Sequence, residues 1–153
     1  MQTEFKLHRA IMDHLKGRVR RGNEVFGCNP PFHHFFATTI YQGRNKEDGF
    51  FLKMIGVEAG ISDIIAWYKT KDGLGCTFME VKIVGSIQSS AQKKIQGICH
   101  SLGIKYVVVR TVEQAHRHFV NIGLTPMHNS IREPDLRSDE QKKLQAFNFY
   151  KKD

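Results

Sequence analysis

The sequence predicts an α/β protein, a single domain in which a mixed β-sheet carries helices on its faces. Three observations carry this prediction. Apolar residues recur at helical spacing near the start (Leu7, Ile11, Leu15) and again later (Ala91, Ile95, Ile98, Leu102). Between those stretches, apolar runs at 61–68 and 76–84 flank Asp72-Gly73, a dipeptide that favours a tight hairpin. A third run, 105–109, follows the second helical stretch, so that strand, helix and strand form a crossover that adds a parallel neighbour to the hairpin. A chain of 153 residues, 41% of them hydrophobic, suits one core without staples.

The elements follow in order. Residues 3–16 read as an amphipathic helix, with Glu4 on the same stripe as Leu7, where a carboxylate is out of place unless it faces water in a first turn or serves the site. The basic run Lys16, Arg18, Arg20, Arg21 is expected either as a solvated helix end or as a phosphate contact. Val25 to Cys28 resembles a short strand stopped by Asn29-Pro30-Pro31, and the chain from there to Asp48 reads as irregular. Adjacent His33 and His34 are poor metal ligands, because they point apart and lack a spaced partner.

Residues 61–68 (ISDIIAWY) predict a strand buried on both faces, 69–75 a tight connection, and 76–84 (CTFMEVKIV) its partner. Ser89 or Ser90 caps the next helix and Gly103 ends it. Residues 105–109 form a short buried strand, and Thr111 with Gln114 forms a capping box for a helix ending near Gly123. A polar loop then runs to Arg137, and a last helix opens at Ser138 with Gln141 and carries Leu144 and Phe147. The order is helix, three strands, helix, strand, helix. Residues 1–124 are the expected domain, and 125–153 a loop and helix that pack on it or on a partner.

The formal charge of +8 favours a polyanionic partner, since each Lys or Arg placed at a phosphate releases counterions. Three scattered cysteines (Cys28, Cys76, Cys99) with no CxxC pair are expected as reduced thiols of an intracellular protein. The first residues show no apolar secretion signal, and no run approaches the ~18 apolar residues of a membrane span.

The strongest signal is a set of charges inside apolar strands. Asp63 interrupts one arm of the hairpin, and Glu80 and Lys82 interrupt the other. Residues two apart on a strand share a face, so Glu80 and Lys82 point the same way, and pairing brings Asp63 alongside. A plain ion pair of Glu80 with Lys82 plus a solvated Asp63 accounts for three charges by chance. Two buried carboxylates side by side, however, cost several kcal/mol, which a divalent cation offsets. Magnesium suits one or two carboxylates with water and phosphate oxygens completing its shell. Asp63 and Glu80, with the Val81 carbonyl, are the expected ligands. Lys82 would then orient a water and stabilise charge on a phosphate.

Gly60-Ile61-Ser62-Asp63 followed by Glu80-Val81-Lys82 resembles the motif of the PD-(D/E)xK nuclease superfamily. FLKMIGVEAGISDII, FMEVK, Ser90-Ala91-Gln92, Leu102-Gly103 and KYVVVRTVE together are similar to the VRR-NUC (virus-type replication-repair nuclease) domain, in a stand-alone form, from about Glu4 to about Glu113. The resemblance implies a restriction-endonuclease-like αβββαβ core. Asp63 and Glu80 match the metal-binding acids, Lys82 the catalytic lysine, and Gln92 the glutamine that opens the following helix, with Lys93 beside it on the nucleic-acid side. Glu4 matches an acid on the first helix.

It further implies Mg2+ or Mn2+ as cofactor and branched DNA such as Holliday junctions as substrate. A homodimer and a setting in the cytoplasm of a bacterial or phage-infected cell are implied in the same way. One departure is Ser62, where the motif usually has proline. Pro134-Asp135 is a decoy, with no apolar strand around it and no ExK after it. A basic module that binds nucleic acid without cutting it, and an RNA-directed enzyme, are the competing expectations.

Overall fold

A computed structural model describes residues 3–40, 54, 56–138 and 141–142. The fold is mixed α/β. Helix α1 (Thr3–Leu15) leads into a hairpin of β1 (Arg18–Arg21) and β2 (Glu24–Cys28). Then come β3 (Phe35–Thr39), β4 (Ile64–Thr70), β5 (Gly73–Val81), helix α2 (Ser90–Ser101), β6 (Lys105–Val109) and helix α3 (Val112–Asn121). Among the described residues the main sheet has the order β3-β4-β5-β6, antiparallel except for the β5–β6 pair, while β1 and β2 pair only with each other.

Alternation along the strands sorts two cores. Ile64, Ala66 and Tyr68 of β4, Met79 and Val81 of β5 and Val109 of β6 meet Leu7, Ile11 and Leu15 of α1 and Val112, Ala115 and Phe119 of α3. On the opposite face Ile95 and Cys99 of α2 cover Tyr106, with Phe78 and Val108 packed against them. Leu7, Ile11 and Leu15 of α1, all fully buried, each contribute about 1.5–3 kcal/mol by leaving water. Phe119 is the hub of the first core, edge-on to both Phe35 and Tyr68. A hydrogen-bonded chain crosses it: Tyr68 Oη to Thr77 Oγ1 at 2.9 Å, then Thr77 to His118 Nε2 at 3.0 Å.

The helix at the start, the long hairpin and the crossover stand as the sequence predicts, within a few residues at each end. Two expectations are corrected. The basic run is not a helix end: Gly17 stops α1 and residues Arg18–Arg21 form β1. The stretch expected to be irregular contains β3, an edge strand whose Phe35 and Ala37 face inward while Phe36 lies outward against Trp67. The central strand β4 is also less thoroughly buried than expected, with Ile65 and Trp67 only half-covered.

At α3 the expected capping box is half made. Thr111 accepts from Gln114 N–H, but the Gln114 side chain turns to Arg110 N–H instead. The loop after Thr125 lacks regular structure apart from one bridge, Phe32 to Pro126. Ser138 and Gln141 form a complete reciprocal cap. Leu144 and Phe147, and the turn-like residues 42–45, lie outside the described residues. Among the described residues no helix is long and apolar enough to cross a membrane, and the three cysteines are unpaired.

Candidate active site

Register builds the site. Ile64 pairs with Met79, so one step further along the antiparallel ladder Asp63 stands opposite Glu80. Asp63 is held there from both sides: its Oδ2 accepts the Val81 N–H at 2.7 Å, and its carbonyl accepts Ile40 N–H at 3.1 Å. Glu80 faces α2 from the middle of the sheet and has no exposed surface. Lys82, just past the end of β5, is anchored by its N–H to the Val109 carbonyl and reaches back to Glu80 Oε1 at 2.8 Å. Its Nζ also lies 3.6 Å from Glu4 Oε1, at the N-terminal end of α1. Lys82 thus sits between two carboxylates from different elements.

Gln92 is placed by the helix cap. Ser89 Oγ accepts Gln92 N–H while Gln92 Oε1 accepts Ser89 N–H at 2.8 Å. With the amide oxygen committed to the cap, the amide nitrogen points at Glu80 Oε1 and donates to it. Gly60 brings the approach to Asp63 against the same helix end. Its φ is +83°, and a Cβ there would lie 2.4 Å from the Ala91 carbonyl carbon, so only glycine fits. Ser62, where the motif usually has proline, is fully buried and donates from Oγ to the Ile64 carbonyl at 3.1 Å. Proline cannot make that bond.

The electrostatics follow from this crowding. Burial, reinforced by the neighbouring Asp63 and opposed by Lys82, pushes the Glu80 carboxyl up to about 7. Lys82 is held above its ordinary value: burial alone would lower it, but Glu80, Glu4 and Asp63 together outweigh that. One lysine therefore compensates part of a carboxylate pair, and the remainder appears as raised proton affinity at Glu80.

Two residues escaped the sequence reading. Tyr106 of β6 donates to Glu80 Oε2 at 3.4 Å, and its hydroxyl is pushed up by burial and then by the Glu80 charge. His8, one turn after Glu4, lies in the field of Asp63 and Glu4; burial nonetheless lowers its pKa, and its Nε2 is buried with no hydrogen-bond partner. The i to i+4 spacing from Glu4 to His8 was a readable signal, since those positions share a helix face. Tyr106 carried none, because only the parallel register reveals it.

Asp63, Glu80, Val81, Lys82, Gln92 and Glu4 are therefore neighbours. The basic residues are not part of that group. Arg20 Nε binds Asp13 Oδ2 at 2.6 Å and Arg18 lies 3.9 Å from the same carboxylate. Arg21 stands over the Phe26 ring. Lys16 follows the end of α1, and Lys93 is exposed on α2 beside Gln92. The decoy Asp135 is taken by Arg137, 2.8 Å away.

The donor set discriminates among metals. Among the described residues no group of three or more His, Cys, Asp or Glu side chains could hold an ion, so a closed zinc or iron centre does not fit. The oxygens of Asp63 and Glu80, which converge across the β4–β5 ladder, are the hard donors that a hydrated magnesium or manganese ion takes while keeping most of its waters. Neither the cavity of about 380 Å³ between α1, β1 and the 128–134 loop nor that of about 340 Å³ beside His33 is lined by these residues. Compared with protein-family models, with curated proteins and with solved structures, the chain matches none.

Proposed function

We propose that the protein is a metal-dependent nuclease of the PD-(D/E)xK type, with a VRR-NUC-like, restriction-endonuclease-like core, that hydrolyses phosphodiester bonds in DNA. The observation that carries this reading is the juxtaposition of Asp63, buried Glu80 and Lys82 on adjoining strand ends. A structural ion pair needs one acid per lysine, and here a second carboxylate is pressed against the first at a cost in proton affinity. Asp63 and Glu80, with the Val81 carbonyl, would hold Mg2+ or Mn2+; when bound, the ion lowers the pKa of water and offsets charge on the phosphate.

The chain's own residues supply the rest. Lys82 carries a positive charge at the edge of the site, where it can bind a phosphate oxygen or orient the attacking water. Glu4 draws Lys82 away from a purely internal pairing with Glu80. Gln92, with its oxygen held by the cap, orients Glu80 and lies at the exposed end of α2 with Lys93. Branched DNA and a homodimer belong to this proposal through the family resemblance and the net charge of +8.

A second reading is a nucleic-acid-binding module that does not cut. The lysine–glutamate pair, which alone accounts for two of the three charges, favours it. The experiment that separates them compares linear duplex, single strand, flap, four-way junction and RNA, each with Mg2+, Mn2+ or EDTA. Metal-dependent cutting by the wild type, lost in Asp63→Asn, supports the nuclease. Tight binding without cutting under every metal supports the module.

A further inference from the structure

The β1–β2 hairpin is unexplained by the site. Among the described residues it pairs with no other strand, and every residue of β2 is exposed. Its apolar residues are not covered: Phe26 is 62%, Val19 57% and Val25 45% exposed. The register shifts within the ladder, from Val19 opposite Gly27 to Arg20 opposite Val25, so Phe26 is the extra residue of a β-bulge. Bulges re-aim side chains. Here the ring is turned out, with the Arg21 guanidinium 5.5 Å from its centroid.

The hairpin is nonetheless firmly mounted. Arg9 of α1 donates to Asn23 Oδ1 and to the Gly22 carbonyl at its tip, at 3.1 and 2.9 Å. Arg20 ties its flank to Asp13 and to the Asn23 carbonyl. At its base Asn29 N–H meets the Gly17 carbonyl at 2.6 Å. The tip is held five residues along α1 from Glu4, an axial offset of about 7.5 Å, on the order of two base-pair steps.

We infer that this hairpin is a stacking wedge for nucleic acid, in which Phe26 packs on an unpaired or unstacked base while Arg21 moves from the ring to the flanking phosphate. The inference rests on the nucleic-acid part of the proposed function, not on cleavage. Charge chooses the occupant. Residues 16–30 carry four cations, Lys16, Arg18, Arg20 and Arg21, against Glu24, and Asp13 of α1, which pairs with Arg18 and Arg20, still leaves the face with a positive excess. A second copy docked through this face by a two-fold axis would set that net positive charge against itself, whereas a polyanion complements it. An exposed aromatic ring with an arginine on its face is the pairing by which single-stranded bases are held without sequence preference. The substrate class is accordingly DNA with bases free to leave the stack, as at a gap or a branch point.

The test measures binding in EDTA by the wild type, Phe26→Ala and Phe26→Trp. The substrates are a continuous duplex and the same duplex with unpaired bases at its centre, one of them 2-aminopurine. Phe26→Ala is expected to lose about tenfold in affinity for the unpaired substrate, as for one lost base stack. Little should change on continuous duplex, and Phe26→Trp should restore both affinity and quenching of 2-aminopurine. Equal losses on the two substrates, or none, overturn the inference. So does a Phe26→Ala protein that sediments at a lower mass than the wild type, because a second copy then covers this face. Phe26-dependent binding by a protein that never cuts leaves the wedge standing and removes the nuclease. Normal metal-dependent cutting that ignores Phe26 does the reverse.

Discussion

Glu80→Gln should stabilise the metal-free protein at neutral and alkaline pH. The Glu80 carboxyl is fully buried and pushed up to about 7 from an ordinary 4.5 by burial and by Asp63. The folded state therefore holds a proton there that the unfolded chain releases at lower pH. The stability contribution of this group is full below about 4.5 and is lost as pH rises through about 7. At 1.36 kcal/mol per unit, the displacement corresponds to about 3 kcal/mol at pH 8. Glutamine mimics the protonated form. Its amide oxygen can take the place of Oε1, which accepts from Lys82 and Gln92, and its nitrogen can face the Tyr106 hydroxyl. Part of the gain is offset where Lys82 loses a full negative partner, so about 1–3 kcal/mol is expected.

The assay is urea unfolding of both proteins in EDTA at pH 5 and pH 8, reading the difference between them so that other titrating groups cancel. With a urea slope of about 1–3 kcal/mol/M, the variant's midpoint should lead by on the order of 1 M at pH 8 and by much less at pH 5. A variant less stable than the wild type at pH 8, or a lead that is the same at both pH values, would refute the reasoning.

Three further outcomes follow from other parts of the molecule. Gly60→Ala forces a Cβ into the backbone of Ala91 at a positive φ and should cost about 2 kcal/mol or more with loss of activity; Gly56→Ala, also at positive φ but facing open space, should cost less in the same thermal melts. Thr77→Val strands the buried Tyr68 hydroxyl, takes a partner from half-buried His118 Nε2, and should lower stability by about 2 kcal/mol in chemical denaturation. His14 is lowered to about 4 by burial and then by the charges of His116 and His128, so the unfolded chain takes the proton first as pH falls. Its contribution is present above about 6.5 and lost on acidification through 4, and His14→Gln should flatten the stability profile across that window.

The site was legible because it breaks a rule at few positions. Asp63, Glu80 and Lys82 lie in runs that are otherwise apolar, and period-two alternation alone sets two of them on one face. Gln92 entered only through the resemblance to the nuclease motif; the reciprocal cap with Ser89 that fixes its amide is visible in the structure alone. His8 and Tyr106 were harder, because their roles arise from the angle of α1 and from the β5–β6 register. Tyr106 leaves no local pattern, and His8 leaves only its four-residue spacing from Glu4. The hairpin at residues 18–28 was half read: Val25 to Cys28 has strand character, but its partner is four residues dominated by arginine, which composition assigns to a solvated surface. Only Asp13, a helix residue eleven positions before Glu24, shows why those arginines form a strand: it holds Arg18 and Arg20 on one side of the ribbon. The edge strand β3 was hidden by its short length and by the exposed Phe36, which blurs the alternation.

The most direct test of the nuclease claim is cleavage of an end-labelled four-way junction by the wild type and by Lys82→Ala. Each is run with Mg2+, Mn2+ and EDTA, with DNA binding measured in parallel. The account predicts metal-dependent cuts by the wild type and none by Lys82→Ala, which still binds the junction. Cutting by Lys82→Ala at the wild-type rate, or cutting by the wild type in EDTA, would contradict it.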